Sequence, residues 1–328
     1  MRRRLFISLG AAGMCSVLAG CGTDEQEGFN LRDVPSGPIV LGFSQVGSES
    51  GWREANTASI KKAAERNRIT LKFDNAEGDQ KKQIAAIQSY IAAKVNVIAF
   101  SPVVETGWDD VLRQARDAGI PVVLTDRLIE TLDESLYVSS IGAEFASEGN
   151  LAALYLENDY EGTSGHVNVV ELLGTRGSSP TKLRTEGFRE TASRHGKLRV
   201  MDSETGNWTV AGGEAAMKKL LRRVKTIDAV FAQNDDMGLG AIKALQAAGK
   251  KPGTDVRIVT VDATRAGLTA LAAGKLNYVV ECSPEIGEQL MAVVVDLFFG
   301  GQVQKRVESE KAVFDSDSAA DALPDRTY

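Results

Sequence analysis

From Ile39 onward the chain is a succession of short, nearly continuous apolar runs, separated by longer stretches in which apolar residues recur at helical spacing. The runs are IVLGF from Ile39, ITLKFD from Ile69, NVIAFS from Asn96, PVVLTD from Pro121 and LYVSSI from Leu136. A second set follows: HVNVVEL from His166, LRVMDS from Leu198, DAVFAQ from Asp228, VRIVTV from Val256 and LNYVVE from Leu276. A strand covered by helices on both faces has no polar face to show, so such runs predict strands of parallel sheets. Gln80–Ala93, with Ile84, Ile87, Tyr90 and Ile91 on one face, and Asp109–Ala118 predict two of the intervening helices. After the second of these, Gly119-Ile120-Pro121 supplies a helix-terminating glycine and the start of the next strand, a device repeated at Gly249 and Gly274. Two successive sets of strands predict an α/β protein of two Rossmann-like lobes with parallel sheets. Beyond Val313 the chain is rich in Asp, Ser and Ala without a clear element, and a frayed or surface-lying tail is expected.

The N-terminus breaks the pattern. Arg2, Arg3 and Arg4 precede an apolar run from Leu5 to Ala19, too short to span a bilayer as a helix and arranged as an export signal is. The run ends in Leu18-Ala19-Gly20-Cys21, which resembles the bacterial lipobox, where the cysteine thiol takes a diacylglycerol and cleavage makes that cysteine the first residue. Residues 1–20 are therefore expected to be a lipoprotein signal peptide and Cys21 the lipidation site, placing the chain outside the cytoplasm, anchored to the cell membrane. The polar, Gly- and Pro-punctuated residues 21–37 are expected to be a flexible tether. The Arg2-Arg3 pair leaves both the general and the twin-arginine export route open. Of the three cysteines, only Cys282 then remains in the folded part, which excludes a disulfide framework.

Composition narrows the partners. With 328 residues, 43% hydrophobic and 25% charged, the chain can bury two cores of ordinary size. A net charge of −6 and no long basic run outside residues 2–4 exclude a nucleic-acid surface, which needs clustered cations. In open α/β sheets ligands bind beyond the carboxyl ends of the strands, and there the chain is polar. Ser44-Gln45 and the loop to Trp52-Arg53 follow the first run and Asp126-Arg127 the fourth; Asn234-Asp235-Asp236, Asp262 and Glu281 end runs of the second set. Carboxylates that accept from hydroxyls, arginines and amides that donate to them, and an indole to cover a C–H face make up a sugar site. Each such residue alone serves equally well as a helix cap or a loop ion pair.

Enzyme chemistry finds no such support. The two histidines, His166 and His195, have no HExxH or CxxC companion, and GxSxG, GxGxxG and GxxxxGK[ST] are absent; Gly174-Thr-Arg-Gly177 lacks the lysine of a phosphate loop. Consecutive carboxylates such as Asp109-Asp110 and Asp235-Asp236 do not face each other on a helix. Neither a metal nor a cofactor is expected, and the chain reads as a binding protein rather than an enzyme.

The stretches GFSQVGSESGWR (Gly42–Arg53), PVVETGW (Pro102–Trp108), LTDR (Leu124–Arg127), VVELLGTRGSS with LRTEGF (Val169–Ser179, Leu183–Phe188) and AQNDDMGLGAIKAL (Ala232–Leu245) carry a family resemblance. Over about residues 38–310 the chain resembles the ribose/galactose-type periplasmic binding proteins of ABC importers, the galactofuranose-binding type in particular. The resemblance implies a type I periplasmic binding protein, two lobes joined by a three-segment hinge with crossings near Ala143, Cys282 and Glu310. The N-terminal lobe would comprise 38–143 plus 283–309, and the C-terminal lobe 144–282 plus 310–328. It implies a site built of Trp52, Arg53, Asp126 and Arg127 from the first lobe and Arg184, Asn234, Asp262 and Glu281 from the second. Trp208, in GNWT, stands where the family places an aromatic that closes on the sugar, opposite Trp52.

Two departures bear on the choice of sugar: Trp208 replaces a usual Phe, and Pro180-Thr-Lys-Leu differs from the family pattern. The implied function is capture of a monosaccharide, galactofuranose or a related pentose or hexose, by hinge closure and its delivery to an ABC permease, by a monomer without cofactor. On this reading, truncating Asp126 or Arg127 abolishes binding and changes ligand-free unfolding little. A transcription regulator with the same effector fold would need a helix-turn-helix before residue 40, where the export signal stands. A sugar sensor presenting its ligand to a membrane receptor or kinase is the alternative that leaves no distinguishing motif.

Overall fold

The computed structural model describes residues 37–328; the expected signal peptide, the expected lipidation site Cys21 and the expected tether up to residue 36 lie outside the described residues. All ten apolar runs form strands: β1 Val40–Gln45, β2 Thr70–Asn75, β3 Val97–Phe100, β4 Val122–Thr125, β5 Ser139–Gly142, β6 Val167–Leu173, β7 Leu198–Thr205, β8 Ala229–Ala232, β9 Arg257–Asp262 and β10 Tyr278–Glu281. Two further strands, β11 Arg306–Glu308 and β12 Val313–Phe314, follow them. The helices are α1 Gly51–Arg66, α2 Gln80–Ala92, α3 Asp109–Asp117, α4 Phe145–Asp159, α5 Ser179–His195, α6 Val210–Arg223, α7 Asp235–Ala247, α8 Arg265–Ala272, α9 Gly287–Phe298 and α10 Ser316–Ala322.

The strands sort into two six-stranded sheets, β11-β5-β4-β3-β1-β2 and β12-β10-β9-β8-β6-β7. All pairings are parallel except that of β12 with β10. The continuous apolar runs follow from burial on both faces. On one face of the first sheet Leu41, Phe43, Val97, Ala99 and Val123 pack against Ile60 of α1 and Leu290, Met291 and Val294 of α9. On its other face the alternate residues Ile98, Phe100, Val122 and Leu124 meet Ile87 and Tyr90 of α2 and Leu112 of α3. The second sheet repeats the arrangement, with α6 and α7 on one face and α4 and α5 on the other. Each fully buried Val, Leu, Ile, Phe or Met among them contributes about 1.5–3 kcal/mol.

The chain passes between the two sheets more than once. After β5, α4 packs on α5 and the second sheet; after β10, α9 returns to α1 on the first sheet; β11 then joins the first sheet and β12 the second. The tail beyond Val313 is ordered, contrary to the expectation from its composition. Asp315 and Ser318 form a reciprocal capping box that starts α10, and α10 packs on α8 through the buried Ala319. The last residues are tied down as well: the Arg265 N–H donates to the Tyr328 carbonyl at 2.6 Å.

Candidate functional site

The carboxyl ends of the two sheets face a shared cavity. Eight of the nine residues picked from the sequence line it: Trp52, Arg53, Asp126, Arg127, Arg184, Trp208, Asn234 and Asp262. Glu49, Ser50, Pro180 and Cys282 complete the lining without having been picked; Glu49 and Ser50 lie inside the quoted SESGWR stretch.

In the first lobe, α1 begins after the short loop that follows β1, where Ser50 caps it, its hydroxyl accepting the Arg53 N–H at 3.2 Å. Arg53, in the first turn, is thereby held among acceptors. Its Nη2 donates to Asp126 Oδ2 at 2.6 Å, its Nη1 to Gln45 Oε1 at 3.3 Å and Ser101 Oγ at 3.4 Å, and its Nε to Glu49 Oε1 at 3.3 Å. Arg127 donates through Nη2 to the same Glu49 oxygen at 3.4 Å and through Nη1 to the Val103 carbonyl at 3.3 Å. Its Nε is buried without a hydrogen-bond partner among the described residues. Burial and the neighbouring Arg53 cation push the Arg127 guanidinium down to about 10. Burial raises the Glu49 carboxyl, but the two guanidiniums reverse this and leave it below the usual carboxylate range.

In the second lobe, Arg184 donates through Nε to Glu148 Oε2 and through Nη1 to the Gln233 carbonyl, both at 2.7 Å. Burial works most strongly against its charge, but Glu148, Cys282 and Asp262 together outweigh it and hold the guanidinium protonated. Asp262 lies 3.9 Å from Arg184 Nη2, and burial pushes its carboxyl well up, only partly countered by that cation. Trp208 can lie where it does because Gly174 has no side chain: a Cβ there would fall 1.9 Å from the indole Cζ2. The Arg127 and Arg184 guanidiniums, one from each lobe, stand 6.0 and 5.7 Å from the Trp208 ring centre, and the buried indole Nε1 has no partner among the described residues. Asp126, Trp208 and Asp262 adopt φ of 58°, 67° and 118°, left-handed backbone that clusters at functional sites.

Three of the predicted residues differ from their assigned parts. Glu281 is not in the cavity. Its carboxylate binds Arg326 and accepts from the Tyr328 hydroxyl at 2.7 Å, so it anchors the C-terminus. Although Glu281 is in register with Asp262, the φ of 118° at Asp262 breaks strand geometry there and re-aims that side chain alone. Asn234 lines the cavity with its amide already committed, Oδ1 capping α7 through the Met237 N–H and Nδ2 donating to the Trp208 carbonyl, both at 3.0 Å. Trp52 gives its ring N–H to the Cys282 carbonyl and packs with Phe145 in the second lobe's core. Of the two indoles, only that of Trp208 keeps a free donor.

Glu49 and Asp126 in the lining and Glu148 behind Arg184 balance the three guanidiniums, while burial disfavours charge on Asp262, and this suits an uncharged polar molecule. Burial pushes the Cys282 thiol well up, so it is not a nucleophile at neutral pH. Around the cavity the two rims touch directly: Leu128 N–H donates to Ser179 Oγ at 2.8 Å, Glu105 N–H to the Gly177 carbonyl at 2.9 Å and Gly51 N–H to Asp236 Oδ2 at 3.3 Å.

Two doubly wound lobes with a polar cavity between their strand ends define a two-lobed ligand-binding protein. The chain belongs to the periplasmic binding protein domain family, whose model matches residues 41–302. It is 40% identical over 252 residues to the galactofuranose-binding protein YtfQ of Escherichia coli (strain K12), covering 76% of this chain and 79% of that protein. A crystal structure of a protein from Mycobacterium smegmatis in complex with β-D-fucofuranose is 51% identical, with a TM-score of 0.87 over 88% of this chain and 95% of that one. The binding component of the arabinose ABC transporter of Shewanella sp. ANA-3, bound to α- and β-L-arabinofuranose, is 37% identical, with a TM-score of 0.84 over 88% and 96% of the two chains.

Proposed function

We propose that the protein captures a neutral monosaccharide, galactofuranose or a related pentose or hexose, between its lobes and delivers it to an ABC permease. The observation that carries this is the pair of buried donors without partners among the described residues, Arg127 Nε and Trp208 Nε1, on a charge-balanced cavity. Buried N–H groups without acceptors are rare in native proteins, and sugar oxygens are the acceptors these lack. The furanose ligands named for the relatives support a five-membered ring. The lobes in this reading are 38–143 plus 283–309 and 144–282 plus 310–328, hinged near Ala143, Cys282 and Glu310. Sugar closes them because it contacts both, Asp126 and Arg127 from one side and Arg184, Trp208 and Asp262 from the other. The protein works as a monomer outside the cytoplasm, held to the membrane by lipid on Cys21, and turns nothing over.

A thermal-shift screen of D-galactose, D-fucose, L-arabinose and D-ribose, with D-galacturonate as the charged control, tests the reading. At least one neutral sugar should raise the midpoint in proportion to saturation, while galacturonate should not. Stabilisation by the acid alone, or by none of the sugars, sinks it.

A further inference from the structure

Behind Arg184, away from the cavity, sits a carboxylate that no strand end announces. Glu148 belongs to α4 and is fully buried. Its Oε2 takes the Arg184 Nε–H at 2.7 Å, and its Oε1 has no hydrogen-bond partner among the described residues. The two helices meet at backbone contact here, since a Cβ on Gly149 would fall 2.2 Å from the Arg184 carbonyl oxygen. A buried carboxylate with one orphaned oxygen is a cost to the fold, and so calls for an account beyond packing. The Arg184 side supplies one. Nε is fixed by Glu148 and Nη1 by the Gln233 carbonyl, whereas Nη2 makes no hydrogen bond among the described residues and lies 3.9 Å from Asp262 Oδ1.

We propose that Glu148 is a positioning residue for the ligand: with the Gln233 carbonyl it locks the Arg184 guanidinium so that Nη2 alone is presented to a sugar oxygen. This rests on the sugar-binding reading above. A guanidinium held on two of its edges loses little rotational freedom when the third engages a ligand, which favours a directed bond over a diffuse charge. Glu148 itself touches no ligand; it acts through Arg184.

The test is calorimetric titration of D-galactose, D-fucose and L-arabinose into wild type, Glu148→Gln and Glu148→Leu, with ligand-free unfolding measured alongside. Glu148→Gln keeps an acceptor for Nε and should bind within about fivefold of wild type. Glu148→Leu should bind on the order of 30-fold more weakly or worse. In an Arg184→Met background Glu148→Leu should weaken binding no further, a coupling that a purely structural tie between helices does not produce. If Glu148→Leu does not fold, Arg184→Lys decides: it keeps the charge and loses the fixed fork, and is expected to lose a similar factor. Wild-type affinity in Glu148→Leu, or in Arg184→Lys where that variant stands in, overturns the proposal, as does Glu148→Gln binding as poorly as Glu148→Leu. Failure of wild type to bind any of the sugars overturns the sugar reading itself.

Discussion

Replacing Asp126 by alanine removes one of the two carboxylates that balance Arg53 and Arg127 in the first lobe. Asp126 Oδ2 accepts from Arg53 Nη2 at 2.6 Å and lies 3.9 Å from Arg127 Nε, and both arginine side chains are only 3% exposed. Glu49 is then left alone to balance two buried guanidiniums. Removing one partner of a buried pair costs about 3–5 kcal/mol. At about 2–4 °C per kcal/mol for a large domain, the ligand-free midpoint should fall by about 6–20 °C. This departs from the expectation drawn from sequence, that a strand-end carboxylate faces the ligand and is lost at little cost to the fold. Sugar affinity should fall too, by on the order of 30-fold or more, because Arg53 and Arg127 lose their fixed places on the cavity wall. Asp126→Asn keeps an acceptor for Arg53 and should show the smaller drop on both counts. Differential scanning of the ligand-free variants and titration calorimetry with sugar measure the two effects. An Asp126→Ala protein with wild-type midpoint refutes the buried pair, and one with wild-type affinity refutes the cavity as the binding site.

Ser179→Ala removes the acceptor for Leu128 N–H across the cleft, so sugar should dissociate up to about tenfold faster in stopped flow while ligand-free unfolding stays put; an unchanged rate refutes the rim bond. Deleting Arg326–Tyr328 frees Glu281 and should lower stability by about 1–3 kcal/mol without altering sugar affinity, whereas lost affinity would return Glu281 to the site. Burial pushes the Asp235 carboxyl up from 3.8 to about 6, against hydrogen bonds from Thr260 and Thr264, so the folded protein holds a proton that the unfolded chain releases. The stabilisation from that proton is complete below pH ~4 and is lost as pH rises through about 6, at most about 3 kcal/mol. Asp235→Asn should flatten this slope in denaturant unfolding, and an unaltered slope contradicts the assignment.

The strands were legible because Leu41, Phe43, Ile98 and Phe100 and their neighbours are buried from both sides, which writes apolar runs no loop imitates. β11 and β12 escaped notice: Arg306–Glu308 is a sheet edge with two of its three residues charged, and two residues at Val313–Phe314 are too few for a period. Site residues were legible as polar groups after strands, but strand-end position does not say where a side chain points. Glu281 and Asp262 are register partners with opposite fates, and the backbone turn at Asp262 that separates them has no sequence signature. Glu148 escaped for another reason. It lies in the helix after the fifth strand of the first sheet and reaches the site only through α4–α5 contact, which Gly149 and Gly187 permit and which periodicity does not reveal.

The central claim is that one uncharged sugar holds the two lobes together. Small-angle scattering of the protein, with and without a saturating sugar from the screen, measures this most directly. The account predicts a smaller radius of gyration with sugar bound, and none of that compaction with Arg127→Ala. Saturable sugar binding at an unchanged radius, with the lobes equally separated before and after, would contradict it.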